Sequence, residues 1–150
     1  HYCGSVIAPE TVRYHFVGAG DDVMLVGLNG QLVLDRCWNF RIKDAAANYH
    51  YGYTGIPDGF ARGDAIDVVK GQAYPLDVLI GEQPGGKMFA FLFLEKEGET
   101  YAHDANGNPI LPVFRVKNAP LPAVTAGAEL PPHSTDAPAW SVWRIAPQNR

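Results

Sequence analysis

A chain of 150 residues, 47% hydrophobic and 19% charged, holds enough apolar material for one packed domain and is neither disordered nor fibrous in composition. Its net charge of −4 gives no basic face for nucleic acid or for an anionic membrane surface. No apolar run approaches the roughly 20 residues of a membrane-spanning helix, so membrane insertion is not expected. The first residue is His1 rather than Met, which points to a chain processed or excised from something longer.

Strand signals dominate in chain order. Residues 5–8 form a short apolar run closed by Pro9. Residues 12–17 read V-R-Y-H-F-V, with Val12, Tyr14 and Phe16 on one face and Arg13 and His15 on the other. This alternation predicts a half-buried strand, with His15 facing solvent and the strand broken at Gly18-Ala19-Gly20. Residues 23–28 and 31–34 are apolar runs separated by Asn29-Gly30, a dipeptide suited to the positive φ angles of a type I′ hairpin turn.

Residues 44–64 look irregular, with one helical turn expected over 44–48. Residues 66–69, 73–80 and 87–94 read as three more strands, the last two joined through Pro84-Gly85-Gly86. A turn at Asn106-Gly107-Asn108-Pro109 leads to a further strand over 110–116. Short strands with frequent turns and no sustained 3.6-residue period predict an all-β fold, an antiparallel β-barrel or sandwich. The inward phase of these strands, or the equivalent phase in the strands of the family resembled below, predicts a core of Tyr14, Phe16, Leu25, Val33, Leu76, Val78, Leu92 and Leu94. Two segments result: a β domain over 1–117 and a Pro-rich extended arm over 118–150. Trp140 and Trp143 favour an arm that packs on the domain, because large rings seldom sit on a free tail.

The ordered series over residues 4–95 resembles the protective-antigen β-barrel family, which includes a toxin component, yeast flocculin lectins and glycosidase inserts. Its pieces are residues 4–16 (Gly4 through Ala8-Pro9 and Tyr14 to Phe16), residues 18–25 with Asp21-Asp22, and residues 29–35 (N-G-Q-L-V-L-D) followed by Trp38. Residues 69–78 (V-K-G-Q-A-Y-P-L-D-V) are similar to a further family strand. The resemblance implies carbohydrate binding or adhesion in an extracellular, periplasmic or cell-surface protein. The family's strands before Gly4 have no counterpart here, which leaves closure to the C-terminal arm or to another segment.

In the lectin members an Asp-Asp pair resembling Asp21-Asp22 holds a calcium ion that also binds sugar hydroxyls. The same resemblance brings in a second loop over 81–84, offering Glu82 and Gln83. Calcium takes six to eight oxygens, so two carboxylates need such help. The other reading is that the Asp pair turns the chain and caps strand amides without a metal. Tyr49, Tyr51 and Tyr53 either stack on the apolar face of a sugar or cover an edge of the barrel.

Residues 104–108 resemble the start of a calcium-binding EF-hand loop, but Pro109 stands where that loop needs Gly and Arg115 where it needs Glu. Cys3 and Cys37 fit no zinc or redox spacing. They are either two small buried hydrophobes or one disulfide clamping the N-terminal strand. Five scattered histidines carry no catalytic signature. The expected function is therefore a non-catalytic carbohydrate-binding or adhesion module of a larger exported protein. Its partners would be a glycan and neighbouring domains, with Ca²⁺ as the cofactor the resemblance implies. A structural or protein-interaction domain is the alternative, and a glycoside-active enzyme a distant one.

Overall fold

Strands form where branched and aromatic residues lie between the turn dipeptides. The computed structural model describes residues 1–37, 48–52, 56, 59–86, 88–117 and 129–142. Among these there is no helix, and the strands are β1 (Tyr2–Ile7), β2 (Val12–Gly20), β3 (Val23–Leu28), β4 (Gln31–Cys37), β5 (Ala61–Val68), β6 (Ala73–Gly81), β7 (Ala90–Lys96) and β8 (Ser141–Val142). They build two antiparallel sheets, ordered β4-β3-β6-β1-β8 and β5-β2-β7. The arrangement is an open sandwich rather than a closed barrel. The helical turn expected over 44–48 falls, except for Asn48, outside the described residues, as do Trp38, Tyr53, Lys87 and Trp143.

The β3–β4 hairpin turns at Asn29-Gly30, with φ of 52° and 77°, as its sequence predicts. A register shift between Val26 and Gly27 then places an extra residue on β4. That bulge lets two successive residues, Val33 and Leu34, both be buried. Val33 also meets the other sheet at β5. A Cβ at Gly63 would lie 2.1 Å from the Val33 carbonyl oxygen, so only glycine permits this crossing.

Between the sheets lies the main core. Met24, Val26, Leu28, Leu34, Tyr74 and Leu76 from the five-stranded sheet face Tyr14, Phe16, Ile66, Val68 and Leu94 from the other. The arm contributes Trp140, fully buried, with its ring 6.0 Å from Tyr14 and 5.8 Å from Phe114. Its backbone N–H donates to the Arg115 carbonyl at 2.8 Å, and the next two residues form β8 beside β1. Residues 129–142 are thus laid against the sandwich.

A second core covers the back of the three-stranded sheet. Val17, Ala19 and Phe93 pack there under Tyr51, Ile56, Phe60 and Leu111. Burying each such ring stabilises the fold by about 1.5–3 kcal/mol. Two expectations for β2 change. His15 is buried rather than solvent-facing, and its Nδ1 lies 2.9 Å from the Gly63 carbonyl oxygen. The strand does not break at Gly18 but runs to Gly20, because bare Gly18 lets Met24 approach; a Cβ there would sit 2.7 Å from the Met24 sulfur.

Tyr14, Phe16, Val33, Leu76 and Leu94 are core residues as expected, and Val78 and Leu92 are partly buried against the core. Leu25 is the exception. In β3 the alternate residues Met24, Val26 and Leu28 point inward, and Leu25 takes the other face. The strand expected over 110–116 is reduced to isolated bridges at Pro112 and Val113, since proline has no N–H to sustain a ladder.

This phase can be checked by chemical denaturation. Met24→Ala is expected to cost about 2–5 kcal/mol, and Leu25→Ala about 1 kcal/mol or less. The reverse ranking would place the inward face of β3 wrongly.

Candidate functional site

Asp21-Asp22 is the turn between β2 and β3, and β6 ends at Gly81, which pairs with Val23 at the start of β3. This pairing carries residues 82–83 directly alongside the Asp pair. One carboxylate oxygen each from Asp21, Asp22 and Glu82 lies within 4.8 Å of the others. The structure therefore brings together the two segments named from the sequence. Asp22 takes φ of 76°, which Asp tolerates because its short side chain bonds locally. Its Oδ2 accepts the Gln83 backbone N–H, and the Asp21 N–H donates to the Phe89 carbonyl at 2.9 Å.

Gln83 thus contributes its backbone N–H to Asp22. Glu82 is exposed, yet its carboxyl is held above the usual carboxylate range, first by partial desolvation and then by the charges of Asp21 and Asp22. Three like-charged groups at such spacing repel one another. A divalent cation would relieve that repulsion, and hard oxygen donors are what calcium takes.

The tyrosines are differently placed. Tyr51 is 7% exposed, its ring edge-on to Phe60 at 5.1 Å, and its hydroxyl donates to the Pro109 carbonyl at 2.8 Å. Such a ring has no free face for a sugar; it roofs the second core, as in the edge-covering reading. Half-buried Tyr49 donates to Glu95 at 3.0 Å, and Arg62 Nε reaches the same carboxylate at 2.6 Å. Burial, and next the Glu95 charge, push the Tyr49 hydroxyl up to about 12. Tyr53 lies outside the described residues.

Both cysteine readings are corrected. Cys3 is exposed on β1, so it is no buried hydrophobe, and Cys37 on β4 is half-buried. The two strands are separated by β3 and β6, a span of about 14 Å at usual strand spacing, and the two cysteines are not bridged to each other. A disulfide needs Cα atoms within about 7 Å, so none can form without moving the sheet.

At the opposite end of β2 is a cleft of about 440 Å³ that sequence reasoning missed, lined by Glu10, Tyr14, Lys96, Glu99, Tyr101 and Asp136 among others. Its size falls within the usual range for small-ligand sites. Tyr14 donates its hydroxyl to Glu10, and Lys96 Nζ donates to the other Glu10 oxygen at 2.8 Å. Glu10 and Lys96 lie 86 residues apart, and neither sits in a local motif that could have announced the pairing. Comparison with known proteins finds no matching family model, curated relative or solved structure.

Burial alone would raise the Glu10 carboxyl, but the bonds from Lys96 and Tyr14 prevail and hold it below its usual range. A depressed carboxyl stabilises the folded state above its unfolded pKa and loses that contribution as pH falls through the folded one. Glu10→Gln is therefore expected to cost about 1 kcal/mol at pH 7, with the gap to wild type closing below about pH 4. Denaturant titrations across pH check this, and a gap that does not narrow as the pH falls would contradict it.

Proposed function

We propose that the chain is a non-catalytic carbohydrate-binding module of a larger exported protein, working outside the cytoplasm, and that it holds its sugar through a calcium ion at Asp21, Asp22 and Glu82. The observation that carries this reading is the convergence of three carboxylates from two separate loops at one end of the sandwich. The resemblance to the protective-antigen family supports it, since the Asp pair falls where the lectin members of that family bind calcium. Three carboxylates leave several of calcium's six to eight positions for water and for sugar hydroxyls.

Calcium binding only the folded state should raise the melting temperature. At a hundredfold excess over the dissociation constant the gain is about 2.7 kcal/mol, or about 5–10 °C for a domain of this size. Asp21→Asn with Asp22→Asn should abolish the rise yet leave the fold intact, because Asn also tolerates the backbone at residue 22. The rise should shrink in acid as the Glu82 carboxylate, held above the usual range, takes up its proton. A carboxyl whose folded pKa is raised costs stability above that pKa. Without calcium, then, Glu82→Gln should raise the melting temperature at pH 7. A glycan array with calcium and with chelator completes the test: binding that chelator removes supports the proposal. Superimposable melting curves and a blank array would overturn it.

A further inference from the structure

A second group of metal-ligating side chains lies on the outer face of the five-stranded sheet, away from the carboxylate cluster. His1, just before β1, and Cys3, within it, are two residues apart and turn toward the same outer face. Asp77 on β6 is the register partner of Cys3. The imidazole, thiol and carboxylate each bring one donor atom within 4.8 Å of the other two. His1 Nε2 is 2.9 Å from Asp77 Oδ1, and both side chains are about half exposed. On its other flank Asp77 pairs with Gly27, which has no side chain to cover it.

We infer that His1, Cys3 and Asp77 form a binding site for a borderline divalent transition-metal ion of the zinc type. The donor set selects the metal. Thiolate and imidazole suit zinc and cobalt, whereas calcium and magnesium take oxygen alone. The spacing fits as well: two light ligands on tetrahedral zinc stand about 3.3 Å apart, given bond lengths of about 2.0–2.1 Å. The His1–Asp77 pair is already near that separation, held by a hydrogen bond whose place the ion would take. An exposed Cys3 needs only side-chain rotation to close the third bond, its proton leaving to solvent as the thiolate binds. Three protein ligands leave a fourth position open to water or to a donor from a partner molecule. No sequence motif announces this site, because its ligands come from strands 74 residues apart that meet only in the sheet.

The site is distinct from the proposed calcium cluster. Asp77 and Glu82 are five residues apart along β6 and beyond, about 17 Å in extended chain. Cobalt tests it without reference to calcium or glycan. Reduced protein is titrated with Co²⁺ in metal-free buffer while the near-ultraviolet thiolate-to-cobalt absorption is followed. One equivalent should bind, and zinc should displace it. Cys3→Ser should abolish the absorption, His1→Gln and Asp77→Asn should each weaken binding about tenfold or more, and Cys37→Ser should change nothing. All four positions lie at the surface or are half-buried, and unaltered metal-free melting curves check that the variants fold. Absence of binding in wild type, a band that survives Cys3→Ser, or a His1→Gln variant of full affinity would overturn the assignment.

Discussion

Phe16 and Val17 are neighbours on β2, they point to opposite faces, and both are fully buried. That double burial is the constraint on which the architecture rests. A strand with apolar groups on both faces needs cover on both, so a two-layer sandwich alone cannot satisfy it. The five-stranded sheet covers one face. Tyr51, Ile56 and Phe60, together with Leu111, cover the other. These residues are therefore structural: they roof the second core.

From this follows the placement of two ionisable clusters. The ends of β2 are where cover stops, and both ends carry ionisable clusters. Asp21 and Asp22 meet Glu82 at one end, and Glu10 meets Lys96 and Tyr14 at the other. The first cluster is acidic and without a basic partner among its own three members, and the second is internally neutralised. Excess negative charge of that kind favours a cation, whereas a paired cluster favours a rigid wall. The same sheet geometry brings Asp77 beside Cys3 on the outer face.

The period-two pattern and the Asn29-Gly30 turn disclosed the strands, because both signals are local. Tyr14 and Phe16 were readable as core for the same reason. Val17, Phe93 and His15 were not, because alternation assumes one wet face and β2 has none from Tyr14 onward. Leu25 was misassigned since β3 is apolar at nearly every position, leaving no polar residue to fix its phase. At the site, Asp21, Asp22, Glu82 and Gln83 were named through a family resemblance, and the β3–β6 register explains why they meet. Glu10, Lys96 and Asp77 carried no signal, for each finds its partner only through long-range pairing.

Phe93 offers the most direct measurement of the double-faced strand account. It sits on β7, between the inward-facing positions Leu92 and Leu94, where a sandwich with one wet face would expose it. The structure buries it to 2% exposure against Phe60, whose ring is stacked at 5.7 Å. Chemical denaturation of Phe93→Ala should therefore show a loss of about 3–5 kcal/mol, the cost of emptying a packed aromatic site. A change within about 0.5 kcal/mol, as for a surface ring, would contradict the second core and the double burial of β2 with it.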